Sequence, residues 1–260
     1  MRRRVAERLL AEAAAVPTAG WDLARLGNRI RTEPTPWDYD ALVCEHATRS
    51  PDLLDLGTGG GEWLAALPCR PLSVVATEGY APNRPIASAR LAPLGIDVVA
   101  ADAPDNVAQE PGATAPRLPF ADESFSLVVA RHESYVPAEI ARILRPGGVF
   151  LTQQVGERNE DDVYRLLGRD VPPPTGWNVA FAQAQLQAAG LAVTRAEEAV
   201  VETTFADVGA FAWWLRLISF TVPFSLERDR ERLIALHERD VPLVVRERRF
   251  IVAARKRVAD

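Results

Sequence analysis

From residue 51 onward, short apolar runs alternate with amphipathic stretches. Asp52 to Leu56, Leu72 to Thr77, Ile96 to Ala101, Phe125 to Ala130 and Gly148 to Val155 read as five strands. Their near-continuous apolar character fits strands buried on both faces, as in a parallel sheet covered by helices. Helices fit between them at about Glu62 to Leu67, Asn83 to Pro93 and Pro137 to Leu144. This order predicts a doubly wound α/β domain with ligands at the carboxyl ends of its strands.

On either side the pattern changes. Arg2 to Val16 places Val5, Leu9, Leu10, Ala13 and Ala14 on one side of an amphipathic helix. Pro17 to Trp37, carrying Trp21, reads as an irregular arm, and Tyr39 to Thr48 as a short helix. Past the core, Asn178 to Ala189 reads as a helix and Leu191 to Thr203 as a strand. Phe205 to Asp240 holds two helices' worth of chain, and Leu243 to Ala254 is the last strand. The two late strands are expected to pair antiparallel at a sheet edge. The expected architecture is therefore a mostly parallel, seven-stranded sheet with an antiparallel last strand. Its parts would be an N-terminal helical arm (1–50), an α/β core (51–202), a helical cap insertion (203–240) and a final strand with tail (241–260).

A length of 260 residues suits one large domain with an insertion. With 48% hydrophobic and 25% charged residues, a disordered chain is excluded. The longest apolar stretch, Phe211 to Phe224, is broken by Arg216, short of the ~18 residues a membrane span needs. Met1-Arg2-Arg3-Arg4 leads into Val5-Ala6-Glu7-Arg8 rather than an apolar secretory segment, so a cytoplasmic protein is expected. Cys44 and Cys69 lack metal-ligand spacing and are expected as free buried thiols, with no metal site. The 30 basic against 35 acidic residues give a net charge of −5. Proteins that depend on phosphate-backbone contacts carry a basic surplus, so nucleic acid is disfavoured as a partner. Arg246-Glu247-Arg248-Arg249 reads as edge-strand charge that blocks sheet-to-sheet pairing. Ser225 to Arg239 reads as a solvated face, pairing Glu227 with Arg230 and Arg228 with Glu231 at i,i+3.

The candidate chemistry centres on Leu53-Leu54-Asp55-Leu56-Gly57-Thr58-Gly59-Gly60-Gly61-Glu62-Trp63, where a buried strand meets a glycine-rich turn that opens a helix. Glycines allow positive φ and close approach of a nucleotide-like ligand. A phosphate-binding loop needs Lys-Ser or Lys-Thr after the glycines, where Glu62-Trp63 stands instead. A dinucleotide fingerprint counted from Gly57 puts Glu62 in place of the third glycine. The run is better written Asp-x-Gly-x-Gly-x-Gly, with Asp55 suited to a positively charged amino group. Glu78 ends the second strand, where a carboxylate can hold both hydroxyls of a ribose. Asp102 ends the third, where it can accept from an adenine amino group. Three carboxylates at successive strand ends describe a cationic, ribose-containing, phosphate-free ligand, and S-adenosylmethionine (SAM) meets that description.

Over roughly Pro51 to Val155 the sequence resembles the class I SAM-dependent methyltransferases, with a likeness to their type 11 branch. Leu56-Gly57-Thr58-Gly59-Gly60-Gly61 is similar to their first motif and Thr77-Glu78-Gly79 to their second-strand acidic motif. Leu118-Pro119-Phe120-Ala121-Asp122-Glu123-Ser124-Phe125-Ser126-Leu127-Val128 resembles the block that leads into strand four. Glu139-Ile140-Ala141-Arg142-Ile143-Leu144-Arg145-Pro146-Gly147-Gly148 resembles the helix-turn before strand five. The resemblance implies that Asp55, Gly57 and Gly59 contact the methionine portion, with Thr58 and Gly61 in the same loop. It implies that Glu78 binds the ribose and that Asp102 and the Ala103 backbone flank the adenine. Strand four ends Ala130-Arg131-His132-Glu133, unlike the Asn/Asp-Pro-Pro-Tyr/Phe of amino-methylating nucleic-acid enzymes.

Methyl transfer is an in-line displacement, so such an enzyme mainly aligns the nucleophile and excludes water. His132 follows the strand faced by the reacting methyl, and is the candidate general base or substrate hydrogen-bonding group. Arg131 is placed in the cofactor-binding set, though it could receive an anionic substrate group or fix the loop through Glu133 or Asp122. Of Gln153 and Gln154, alternation sends only one toward the site. Phe205, Phe211, Trp213, Trp214, Phe220 and Phe224 could enclose a flat substrate or form a buried helix, and arm and insertion could together form a lid. The expected reaction is O- or N-methylation of a small organic molecule. The alternatives are an RNA methyltransferase and a SAM-binding regulatory protein without chemistry.

Overall fold

The computed structural model describes residues 1–17, 23–103, 106, 117–219 and 221–258. Trp21 and Phe220 lie outside them. The first elements are α1 (Arg2–Ala15), a 3-10 segment (Leu23–Arg29), β1 (Ile30–Thr32) and α2 (Tyr39–Ala47). The core follows as β2 (Asp52–Leu56), α3 (Glu62–Ala66), β3 (Ser73–Thr77), α4 (Arg84–Leu91), β4 (Asp97–Val99), β5 (Phe125–Arg131), α5 (Pro137–Ile143) and β6 (Leu144–Val155). The chain then forms α6 (Asp161–Leu166), α7 (Val179–Ala188), β7 (Leu191–Phe205), α8 (Val208–Leu217), α9 (Leu226–Glu238) and β8 (Val244–Lys256).

One sheet has the order β1-β7-β8-β6-β5-β2-β3-β4. The pairs β3–β4, β2–β3, β2–β5 and β5–β6 are parallel, while β6–β8 and β1–β7 are antiparallel. The seven expected strands are present, joined by a short eighth, β1, within the segment read as irregular. Its three residues pair with Thr203 to Phe205 through the backbone. β8 lies inside the sheet between β7 and β6, so its arginines do not protect an edge. Arg246 instead forms a bidentate pair with Asp162 (2.8 and 3.0 Å), and Glu247 is buried and accepts from the Thr203 hydroxyl.

Two compact units divide the chain: 1–35, 157–174 and 200–248 form one, and 36–156, 175–199 and 249–260 the other. In the first, α8 is buried along nearly its whole length, including Phe211, Trp213 and Trp214. Those aromatics pack with Phe205 into a core shared with Ala6, Leu10 and Ala13 of α1, so they form a buried helix. A Cβ on Gly209 would lie 2.7 Å from the Leu9 carbonyl oxygen, and glycine therefore lets α8 approach α1. Asp207 caps α8 by accepting from Gly209 and Ala210 N–H (2.8 and 3.0 Å), an interaction worth about 1 kcal/mol. Buried Leu233, Ile234 and Leu236 make α9 amphipathic. Its expected i,i+3 pairs are replaced by Arg230 with Glu7 and Glu231, and by Arg228 with Asp229.

In the second unit, apolar side chains cover both faces of the parallel strands, which explains their continuous apolar runs. Trp37 and Tyr39 belong to this core and are buried, rather than forming part of a lid. Cys44 and Cys69 are not free thiols. They form a disulfide, with Cα atoms 5.3 Å apart, that ties α2 to the segment after α3. The sequence separation of 25 residues hides this proximity, which arises because both segments pack on the same apolar layer.

Candidate functional site

β2 is the first strand of the parallel core, with β3 and β4 added on one side and β5 and β6 on the other. The crevice between the carboxyl ends of β2 and β5 is therefore the switch point where an open α/β sheet binds ligands. The glycine loop leaves β2 there. Gly57, Gly59 and Gly61 have φ of 67°, 62° and 78°, a left-handed region costly to side chains with a Cβ. Thr77 at the end of β3 anchors the loop, its carbonyl accepting from Thr58 N–H (2.8 Å) and its hydroxyl from Gly57 N–H (3.2 Å).

Four carboxylates converge on this loop. Asp55 is 2% exposed, and burial pushes its pKa up to about 7, with Glu133 and Glu78 adding to the rise and Thr58 and Arg131 opposing it. Its Oδ2 is buried without a hydrogen-bond partner among the described residues. A buried acceptor with no donor is costly, and a ligand ammonium group satisfies it. Glu78 is buried at the end of β3 and accepts from Tyr80 N–H (2.7 Å); burial raises its pKa and nearby Asp102 adds to it. Asp102 accepts from Ala103 N–H (2.8 Å) and lies where a Cβ on Gly79 would be. The fourth is Glu133, whose significance does not emerge from the sequence pattern. Burial raises it to about 7, with Glu78 and Asp102 adding like charge. Mutual repulsion among four acids is relieved by a cationic ligand. The residues thus fit SAM, and Asp55, Thr58, Glu78, Asp102 and Ala103 are the groups that would hold it.

At the ends of β5 and β6, Trp37 Nε1–H donates to Gln153 Oε1 (2.7 Å), and Gln153 Nε2 lies 3.1 Å from His132 Nε2. His132 N–H donates to the Gln153 carbonyl (2.7 Å), and φ at His132 is +60°. His132 is exposed at the surface; the packing around its ring, with positive charge on Arg249 and Arg131, lowers its pKa below the ordinary value. Of the two glutamines, Gln153 joins His132, while Gln154 donates to the Glu133 carbonyl (2.8 Å) and the Thr152 hydroxyl (2.7 Å). Arg131 is exposed. Asp122 is held by Arg117 and Arg142 instead (2.9 and 2.8 Å), so Arg131 does not fix the loop through it. Asp55, Gly57, Thr58, Gly59, Gly61, Glu78, Asp102, Ala103, Arg131 and His132 all lie at the carboxyl ends of the parallel strands or in the loops that leave them.

A larger cavity, ≈ 600 Å³, lies in the first unit beside Asp162, Arg165, Glu202, Arg232 and Arg246. None of the site residues above lines it. Arg165 and Arg246 are paired with Asp162, and Arg232 with the Leu166 carbonyl.

The "Methyltransferase domain" family model matches residues 54–152. Comparison with curated proteins finds no match. Among solved structures, BH2331 of Bacillus halodurans C-125, a candidate methyltransferase, is similar at 20% identity and TM-score 0.57, over 84% of this chain and 99% of its own. The YcgJ protein from Bacillus subtilis is similar at 17% identity and TM-score 0.53, over 85% of this chain and 99% of its own. A candidate sarcosine dimethylglycine methyltransferase from Galdieria sulphuraria shows 13% identity and TM-score 0.51, over 84% and 85%. At such identities the likeness establishes the fold.

Residues 54–152 of this chain form a methyltransferase domain, with its glycine loop at the switch point of the sheet. The activity this supports is SAM-dependent methyl transfer, with SAM as cofactor. None of its described helices is long and apolar enough to cross a membrane.

Proposed function

We propose that the enzyme methylates an oxygen or nitrogen atom of a small organic molecule. The observation that carries this reading is the Trp37–Gln153–His132 chain at the ends of β5 and β6. It supports a neutral imidazole in the loop after β5, a group suited to a hydroxyl or amine rather than to a phosphate backbone. The acidic balance of the chain supports the same reading.

Asp55 and Thr58 receive the cofactor's amino group, Glu78 the ribose hydroxyls, and Asp102 with the Ala103 N–H the adenine. Backbone groups of Gly57, Gly59 and Gly61 line the approach, and Arg131 carries positive charge at the rim. Bound SAM supplies an activated methyl group, so the protein's part is alignment and exclusion of water. His132 holds the nucleophile's proton or hydrogen-bonds the substrate. In a cytoplasmic setting, the Cys44–Cys69 bond would respond to the thiol pool.

The test is methyl-labelled SAM incubated with small-metabolite pools and, separately, with RNA, products being read by mass spectrometry. Label in a small molecule supports the proposal. Label in RNA, with RNA retention that falls steeply with salt, overturns it. Tight SAM binding without label in either pool would make this a regulatory protein.

A further inference from the structure

Glu133 is the second residue after β5, on the far side of the switch-point crevice from Gly57. Its side chain bends back over the glycine loop so closely that a Cβ on Gly57 would overlap its Cγ, Cδ and Oε2. With Glu133 there, the crevice between Gly57, Asp102 and Tyr135 is ≈ 20 Å³, against ~300 Å³ or more for an organic ligand's pocket. The carboxylate therefore occupies the seat that the glycine loop provides.

The backbone beneath it is held. Gln154 Nε2 donates to the Glu133 carbonyl (2.8 Å), and the preceding residue is pinned through His132 N–H to the Gln153 carbonyl (2.7 Å). Among the described residues, the carboxylate itself has one modest hydrogen bond, from Ser134 N–H to Oε1 (3.1 Å). A fixed backbone bearing a lightly held carboxylate lets that side chain turn aside without moving the loop. It then remains at the crevice wall, close to whatever replaces it over Gly57.

Resting on the reading of this crevice as the SAM site, the geometry points to Glu133 as a specificity-determining residue: displaced from the seat, it faces the cofactor's sulfonium and favours charged SAM over its neutral demethylated product. Methyl transfer breaks the bond from sulfur to the methyl carbon and leaves the electron pair on sulfur. The sulfonium becomes a thioether, and the attraction to Glu133 disappears with the charge. Product release is thereby promoted by the same residue that selects the substrate form. The groups facing Glu133 are Glu78 after β3, Asp102 after β4 and Asp55 on β2, with Arg131 and His132 beside it in its own segment. The three acids keep the seat unfavourable to a second anion.

Calorimetric titration of the full chain with SAM and with S-adenosylhomocysteine tests this, using wild type, Glu133→Gln and Glu133→Asp. Removal of one unscreened charge near the sulfonium should lower the SAM preference by roughly tenfold in Glu133→Gln, with homocysteine-form affinity unchanged or higher. Glu133→Asp should retain most of the preference. In wild type the preference should grow as pH rises through 7, and in Glu133→Gln that growth should be reduced. A wild-type preference that Glu133→Gln leaves intact, with both ligands bound, overturns the role of Glu133 alone. Failure of wild type to bind either ligand overturns the cofactor reading itself. Should Glu133→Gln not fold, the wild-type pH dependence decides: a preference flat from pH 6 to 8 overturns the proposal.

Discussion

Gln153 Nε2 lies 3.1 Å from His132 Nε2, and Trp37 decides what that contact is. The Trp37 indole N–H donates to Gln153 Oε1 (2.7 Å), so the amide presents its NH₂ to the imidazole. His132 Nε2 accepts, and the neutral ring carries its proton on Nδ1. A single indole thus sets the tautomer of the proposed base.

His132 should titrate below the ordinary histidine value, because the packing around its ring and the charges of Arg249 and Arg131 disfavour the imidazolium. Its folded pKa is depressed, so the unfolded chain binds more protons below about pH 6.5. The associated stability is present above that pH and lost as pH falls toward the folded value. Gln153→Glu should raise the His132 pKa and protect this stability at lower pH. Proton-detected titration, assigned by comparison with His132→Asn, reads both, and a wild-type pKa at or above 6.5 would be inconsistent.

Asp55 carries the opposite sign. Its pKa of about 7 lies above the ordinary carboxylate value of 3.8, so the folded protein binds an extra proton between them. Stability contributed by that proton falls as pH rises through this window, with a full cost of up to about 4 kcal/mol above pH 7. Asp55→Asn should therefore be more stable than wild type at pH 8, nearly equal to it at pH 4, and poor at binding SAM. Thermal unfolding at the two pH values measures the difference. An advantage that does not grow with pH would remove burial of the charge as the cause.

The Cys44–Cys69 bond closes 25 residues of chain, for which loop entropy predicts about 3.5 kcal/mol of stabilisation. Reductant should lower the unfolding free energy of wild type, measured in urea, by an amount of that order and leave Cys44→Ser/Cys69→Ser unaffected. Equal midpoints with and without reductant, in protein shown by mass to carry the bond, would contradict it.

Gly61 and Gly95 separate backbone strain from packing. Both have positive φ (78° and 72°), but a Cβ on Gly61 would meet Leu91 Cγ at 2.9 Å, while Gly95 has open space. Gly95→Ala should cost about 1 kcal/mol from the left-handed backbone alone. Gly61→Ala should cost about 1–3 kcal/mol more, from overpacking against Leu91. Chemical denaturation of the two variants gives the comparison.

The parallel strands were legible because both faces are buried, leaving unbroken apolar runs such as Leu53-Leu54 and Val128-Val129. The glycine loop was legible because three positive-φ turns demand glycine. Strand β1 was not, since three edge residues pair through backbone and leave no apolar alternation. Helix α6 leaves no periodic signal in the sequence because it buries only Val163. Glu133 and the disulfide depend on segments that meet only in the folded chain, a relation that no local spacing encodes. The cap aromatics illustrate a different limit: a buried helix and a substrate enclosure share one composition.

The most direct measurement is calorimetric titration of wild type and Glu78→Ala with SAM, S-adenosylhomocysteine and NAD. Wild type should bind the first two and not NAD, and Glu78→Ala should lose both while remaining folded. NAD binding by wild type, or undiminished SAM binding by folded Glu78→Ala, would contradict the SAM assignment.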